Sequence, residues 1–140
     1  MLLGCTGLTS VTIGNRVTSI GGGAFANCTG LTSITIPDSV ADIGIQAFED
    51  CTGLTSVTIP DSVTSIGMHA FQGCSGLTSI TIGKVVKIIR DAAFSGCIGL
   101  KRIIYKGTIE QWVSILKIKD WNNYVPSECK VICTDGTTSI

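Results

Sequence analysis

The same order of apolar and polar positions repeats every 23 residues over most of the chain. In the unit that spans 51–73, Val57 and Ile59 lie on one side of the stretch 54–59, and serine and threonine lie on the other. This period of two predicts a half-buried β-strand. A proline-aspartate-serine turn that begins at Pro60 ends the strand, because proline fixes its φ angle and aspartate can bond its own backbone.

The second half of each unit predicts another short extended segment and a tight turn. In the same unit, residues 63–66 form the extended segment, and residues 68–72 predict a single helical or 3-10 turn. This turn places Ala70 and Phe71 in the core. The phenylalanine recurs at Phe25, Phe48, Phe71 and Phe94, and Leu2 occupies the same slot ahead of the first unit.

A cysteine opens each unit and defines the period. The five positions are Cys5, Cys28, Cys51, Cys74 and Cys97. A unit of 23 residues cannot bury its apolar side alone, whereas stacked units cover one another. The sequence therefore predicts a right-handed solenoid over residues 1–105, with a parallel β-sheet on one face and short helical or 3-10 turns on the other. Equivalent residues then meet in successive coils about 4.8 Å apart.

The residues from Leu54 to Cys74 are LTSVTIPDSVTSIGMHAFQGC, and this pattern resembles the BspA-like subfamily of leucine-rich repeat proteins. The similarity covers residues 1–105. It implies a repeat solenoid of the leucine-rich-repeat type in a cell-surface or secreted protein. The repeat departs from the general leucine-rich pattern. The asparagine that usually follows the strand is absent, and a cysteine precedes the leucine instead.

Residues 106–140 depart from the repeat and predict a small α+β C-terminal capping module, similar to the module that ends many BspA-like arrays. Thr108 and Gln111 form a capping-box pattern, which predicts the start of a helix within 107–119. The predicted apolar face of this helix consists of Ile109, Trp112, Val113 and Leu116. A short strand is predicted at 130–133.

The two ends of the array are expected to differ. At the C-terminal end, Trp112 and Trp121 either stack on a sugar or close the core, and closure is favoured because terminal coils require capping. At the N-terminal end, the apolar residues of the first coil predict an exposed edge that permits self-association: Leu2, Cys5, Leu8, Val11 and Ile13. Only four residues precede Cys5, fewer than a secretory signal needs, and we expect the chain to be a fragment of a longer protein.

The seven cysteines allow three interpretations. Disulfides are disfavoured because the number is odd and because parallel side chains about 4.8 Å apart lack the geometry of a disulfide. A metal site at Cys129 and Cys133 would lack a second pair of ligands. Core packing is favoured for Cys28, Cys51, Cys74 and Cys97, because a free thiol behaves as a small apolar group.

Neither catalysis nor a cofactor is predicted. His69 is the only histidine, and it occupies a surface slot while Cys74 is expected to point inward, so a cysteine–histidine pair is disfavoured. No glycine-rich phosphate loop or pair of carboxylates stands out. The formal net charge is zero, with 10 basic and 10 acidic residues, which argues against a nucleic-acid partner. No apolar run approaches the roughly 18 residues of a membrane span.

Two sets of exposed residues are candidates for binding. The outward strand positions present hydroxyl groups at Ser33, Thr35, Ser56, Thr58, Ser79 and Thr81, and the row continues into Arg102 and Ile104. Residues 84–119 carry eight basic and two acidic side chains, so a basic cluster is expected near the cap. Its members are Lys84, Lys87, Arg90, Lys101, Arg102 and Lys106. The first set is also typical of ordinary solvated sheet, and the second of a solvated end.

These observations predict a non-catalytic module. The resemblance implies a protein- or glycan-binding or adhesion role, with a partner on a host or neighbouring cell. The alternative is a structural spacer, an array that sets distance and carries another functional domain outside this chain. Only the first role requires a specific ligand at the exposed residues.

Overall fold

Each 23-residue unit forms one coil of a solenoid, and the computed structural model describes residues 4–140. In chain order, the elements are β1 (Ser10–Thr12), β2 (Ser19–Ile20), β3 (Ser33–Thr35), β4 (Asp42–Ile43), β5 (Ser56–Ile59), β6 (Ser65–Ile66), β7 (Ser79–Ile82), β8 (Ile88–Ile89), β9 (Arg102–Tyr105), α1 (Ile109–Ser114), β10 (Leu116–Lys117), β11 (Lys130–Cys133) and β12 (Gly136–Ser139). Strands of successive coils pair in parallel, as in β5 with β7. The predicted solenoid of stacked repeats is confirmed.

The strands of the solenoid form two sets, which we name sheet 1 and sheet 2. Sheet 1 contains the first strand of each coil and consists of the pair β1–β3 and the five-stranded order β5-β7-β9-β11-β12. Sheet 2 has the order β2-β4-β6-β8-β10. The sequence predicts sheet 1 but only an extended segment in place of sheet 2. That segment pairs as well, because the backbone polar groups of stacked coils need hydrogen-bond partners.

Equivalent side chains of successive coils stack on one another and form one continuous core. Val57 pairs with Ile80, and Ile59 pairs with Ile82, in parallel register. The rings of Phe25, Phe48, Phe71 and Phe94 form a stack with centroid distances of 5.4, 5.1 and 5.4 Å. The predicted contact of each slot with itself is therefore present in the core.

The turn that follows sheet 2 differs from the predicted helical or 3-10 turn. The N–H groups of Ala70 and Gln72 each donate to a carbonyl three residues earlier, both at 3.2 Å. His69 and Gly73 adopt φ angles of 58° and 73°, which interrupts a helical course. Between them, the Phe71 N–H donates to a carbonyl of the next coil at 2.8 Å. The side chains of Ala70 and Phe71 are nevertheless buried, as predicted.

The cap adds one strand to sheet 2 and two strands to sheet 1. β10 pairs with β8 of sheet 2, and β11 pairs with β9 of sheet 1, both in parallel. The predicted capping box is confirmed, since Thr108 Oγ1 accepts from the Gln111 N–H at 3.1 Å and Gln111 Oε1 accepts from the Thr108 N–H at 2.8 Å. The helix ends at Ser114 rather than near residue 119, because Leu116 and Lys117 pair with β8 instead.

The predicted apolar face of α1 is wrong at two positions. Trp112 is buried, but Val113 and Leu116 are 69% and 57% exposed. Ile115 is buried in their place. The helix has only six residues, so helical spacing does not extend beyond it, and the strand that follows turns Leu116 outward.

The two tryptophans close the core at the last coil. Trp121 meets Phe94 edge to face with ring centroids 6.3 Å apart, and the two indole rings are 6.0 Å apart. Trp112 also packs on Tyr105, with centroids 5.4 Å apart. Core closure is confirmed for Trp112, whose 3% exposure leaves no open ring face for a sugar.

The first coil contains the apolar residues for which an exposed edge is predicted. Leu2 lies outside the described residues. The others are only half-buried: Cys5, Leu8, Val11 and Ile13. Self-association through this edge stays a prediction.

Candidate functional site

The hydroxyl residues singled out in the sequence lie in one outward row on sheet 1. They are Ser33 and Thr35 on β3, Ser56 and Thr58 on β5, and Ser79 and Thr81 on β7. Those on β3 and β5 are exposed, and those on β7 are half-buried. The row continues onto β9, where Arg102 lies beside Ser79 and Ile104 beside Thr81.

The row is interrupted between β3 and β5, where the described structure has no ladder pairing. The Thr55 N–H lies 3.5 Å from the Thr32 carbonyl, whereas the Thr78 N–H lies 2.9 Å from the Thr55 carbonyl. At the other end of the strand, the Gly83 N–H donates to the preceding coil at 2.9 Å. Pro60 occupies the Gly83 slot of its own coil and has no N–H, so the corresponding bond to the second coil cannot form. Pro37 lacks the same N–H in the second coil, yet β3 pairs with β1, so the missing bond alone does not interrupt the sheet.

A cleft of about 400 Å³ lies at this interruption. Its lining brings together four hydroxyl residues, two carboxylates and one ammonium group: Ser33, Thr35, Ser56, Thr58, Asp38, Asp61 and Lys106. One oxygen of Asp61 already accepts the Lys84 N–H at 3.0 Å. The cleft can therefore offer hydrogen bonds and charge to a polar ligand.

The six basic residues singled out in the sequence occupy three positions in the last coils. Lys101 and Arg102 lie at β9 of sheet 1, Lys87 and Arg90 flank β8 of sheet 2, and Lys84 and Lys106 follow β7 and β9. All six are exposed. Arg102 joins the hydroxyl row, and Lys106 lines the cleft beside β5, so the six do not share a single site.

Two residues that the sequence pattern does not single out extend the row onto the cap. Lys130 pairs with Arg102, and Ile132 pairs with Ile104, in the register of β11 with β9. Lys130 is exposed, and Ile132 is 39% exposed. A signal was present in the sequence, because KVIC at 130–133 follows the basic–apolar–apolar order of RIIY at 102–105.

Four of the cysteines that open the repeats, Cys28, Cys51, Cys74 and Cys97, form a buried ladder. The Sγ atoms of Cys51, Cys74 and Cys97 donate to the carbonyl of the phenylalanine 26 residues earlier, at 3.1, 3.1 and 3.2 Å. Burial raises the pKa of Cys51 and of Cys97 to about 12, and raises the pKa of Cys74 well above its ordinary value. A reactive cysteine needs a lowered pKa and access to solvent. The interpretation of these thiols as core residues is confirmed.

At about pH 8, only Cys5 is expected to react quickly with a thiol reagent in the native chain, since it is half-buried and the other six are buried. All seven should react after unfolding, and Cys5→Ser should remove the fast phase. Fast reaction of several native thiols would contradict the buried ladder.

The stability of the chain is expected to depend on pH through the buried thiols. The pKa of Cys51 and Cys97 is about 12 in the folded chain and 9.0 ordinarily, so these thiols ionise at lower pH in the unfolded chain than in the folded chain. The free energy of unfolding should therefore fall as the pH rises from 9.0 to about 12.

His69 and Cys74 have different partners. The Nδ1 atom of His69 contacts Oε1 of Gln72 within the turn. The Cys74 thiol donates to the Phe48 carbonyl at 3.1 Å instead. The nucleophile–base contact of cysteine catalysis is therefore not formed by these two side chains.

Within residues 4–140, no group of three or more histidine, cysteine, aspartate or glutamate side chains is placed to hold a metal ion. No helix of this region has the length and apolar character to cross a bilayer.

Known repeat proteins resemble this chain in sequence and fold. A family model described as BspA type Leucine rich repeat region matches residues 2–115 with six copies. No match to a curated protein is significant. A leucine rich cell surface protein from Faecalibacterium prausnitzii A2-165 is 34% identical, with a TM-score of 0.60, over 76% of this chain and 34% of its own.

Two further solved structures share the fold. A leucine-rich repeat protein from Bacteroides ovatus ATCC 8483 is 28% identical, with a TM-score of 0.67, over 92% of this chain and 37% of its own. The pneumococcal vaccine antigen PcpA is 26% identical, with a TM-score of 0.72, over 91% of this chain and 31% of its own. The chain spans about a third of the length of these three proteins. Its repeats, its stacked coils and the family match over most of its length show that the chain belongs to the BspA-type leucine-rich repeat family.

Proposed function

We propose that the chain is a non-catalytic module that binds a protein or a glycan through the exposed surface of sheet 1. The observation that carries this proposal is the difference between the two sheets. Strands β5, β7 and β9 have four residues each and turn two side chains outward, whereas the strands of sheet 2 have two residues each. Extended surfaces of this kind are what solenoids commonly use for binding.

The setting of the module is inferred from its relatives. One neighbour is described as a leucine rich cell surface protein and another as a vaccine antigen. These descriptions support a place for this chain in a cell-surface or secreted protein, where adhesion to a protein or glycan of another cell is the role we propose. The polar cleft beside β5 supports recognition by hydrogen bonds and charge.

A displayed library of random peptides and a glycan array test this proposal. Thr58→Glu places a larger, charged side chain in the hydroxyl row and is expected to weaken binding of a ligand that contacts β5 by about tenfold or more. Thr64→Glu makes the same change in the same coil beside sheet 2 and is expected to leave binding unchanged. Both threonines are exposed, so both variants should fold.

The same screen distinguishes a binding module from a structural spacer. A chain that enriches no peptide and no glycan would favour the spacer, which needs no ligand. A ligand whose binding weakens in the Thr64 variant as much as in the Thr58 variant would contradict recognition through sheet 1.

A further inference from the structure

We propose that the cap end of sheet 1 binds an extended protein segment in which an acidic and an apolar residue are separated by one residue. The site, which we name the cap patch, consists of Arg102, Ile104, Lys130 and Ile132. It rests on the function proposed above and specifies the chemistry of the partner.

The cap patch has two cations on one half and two isoleucines on the other. Arg102 and Lys130 occupy paired positions on β9 and β11, as do Ile104 and Ile132. Neighbouring strands lie about 4.8 Å apart, and two residues along a strand rise roughly 6.6 Å. The basic pair and the apolar pair are therefore adjacent on the same outward surface.

No charge within sheet 1 neutralises the two cations. Hydroxyl side chains border the cap patch on both sides, with Ser79 beside Arg102, Ser139 beside Lys130, Thr81 beside Ile104 and Thr137 beside Ile132. Within residues 4–140, neither Arg102 nor Lys130 forms an ion pair. Like charges at directly opposed positions destabilise a sheet. A negatively charged partner would remove this cost.

The solenoid does not need these four side chains for its packing. The slots of Arg102 and Ile104 hold serine and threonine in all four preceding coils. Lys130 and Ile132 belong to the cap, outside the repeat, yet they place the same basic and apolar side chains in register with β9. Positions that depart from a local pattern without a structural gain are expected at functional sites. Arg102 and Ile104 depart from the repeat, and the unrelated segment of β11 supplies a matching basic and apolar pair beside them.

An extended peptide matches the cap patch in both spacing and chemistry. Residues i and i+2 of an extended strand lie on the same side, about 6.6 Å apart. A carboxylate at one position would accept charge-assisted hydrogen bonds from Arg102 and Lys130. An apolar side chain at the other would cover Ile104 and Ile132. Two other anionic ligands match the cap patch less well than such a peptide. A sulfated glycan has the negative charge but no apolar group to cover the isoleucines. An anionic bilayer is bound only weakly by two cations.

The test selects a displayed library of random peptides on the native chain. We expect enrichment of sequences in which aspartate or glutamate lies two positions from an apolar residue. The double variant Arg102→Ser/Ile104→Thr restores the side chains of the repeat and is expected to weaken binding of an enriched peptide by about tenfold or more. The matched control Arg90→Ser/Leu116→Thr removes the same charge and a similar apolar side chain beside sheet 2 and should leave binding unchanged.

The outcomes separate this proposal from the general one. One set of results would overturn the cap patch and leave recognition through sheet 1 intact. In that case the enriched peptides lack the acidic–apolar pair, still bind the double variant and no longer bind Thr58→Glu. Binding only to heparin, or only to phosphatidylserine vesicles, would also overturn it. Raising the salt concentration from about 50 mM to about 500 mM should weaken peptide binding, because salt screens exposed charges, and salt-independent binding would exclude the role of the cations.

Discussion

Replacement of Phe71 by alanine is expected to lower the free energy of unfolding by about 3–5 kcal/mol, the usual cost of removing a buried aromatic ring. The ring has no exposed surface and is stacked between Phe48 at 5.1 Å and Phe94 at 5.4 Å. The cavity cannot close easily, because pairing with both neighbouring coils holds the backbone in register. Urea unfolding followed by circular dichroism measures the loss.

Phe25 and Val113 provide graded controls for this prediction. The Phe25 side chain is 8% exposed and has only one phenylalanine neighbour among the described residues. Phe25→Ala should therefore lower the free energy of unfolding by less than Phe71→Ala. Val113 is 69% exposed, so Val113→Ala should change stability by no more than about 0.5 kcal/mol. A loss for Phe71 no larger than that for Val113 would show that the phenylalanine stack is not part of the core.

Gly53→Ala is expected to destabilise the chain by about 1–3 kcal/mol, the range for adding a methyl group to a packed interior. A Cβ atom at Gly53 would lie 2.5 Å from the Thr29 carbonyl oxygen and 3.2 Å from the Leu31 carbonyl oxygen. Both are backbone atoms of the preceding coil, so the coils would have to separate. The same slot is filled by Gly30, Gly76 and Gly99, where the shortest distances would be 2.3, 2.4 and 2.7 Å.

Gly7 is a matched control because it occupies the same slot in the first coil. Among residues 4–140, a Cβ atom there would have no neighbour within 4 Å, so Gly7→Ala should be neutral or slightly stabilising. Both variants are compared by urea unfolding under the same conditions. Equal effects at Gly7 and Gly53 would mean that the close approach of the coils is not what requires glycine.

The burial pattern within the coils could be predicted from the sequence alone. Cys51, Phe71 and Ile59 recur at one spacing, and a stack of parallel coils has only one register that puts every such residue inside. The period of two in the strands likewise assigns Ser56 and Thr58 to the outside. Local pattern and global packing agree in these positions, which is why the prediction is correct.

Features that depend on pairing between distant segments could not be predicted in the same way. The face of α1 is set by the strand that follows it, so the helical spacing of Val113 misleads. The missing ladder pairing between β3 and β5 has no signal in the repeat, because Pro37 and Pro60 occupy the same slot and β3 nevertheless pairs with β1. Lys130 joins Arg102 only through the pairing of β11 with β9. That register is a tertiary contact that the repeat period does not contain.

We propose sheet 1 as the surface of the solenoid that binds a ligand. The most direct test is the change in amide chemical shifts of the isotope-labelled chain during titration with a peptide enriched from the displayed library. We predict that the shifts change on β7, β9 and β11, and that the amides of β4, β6 and β8 in sheet 2 do not move. Changes confined to sheet 2 would contradict the claim.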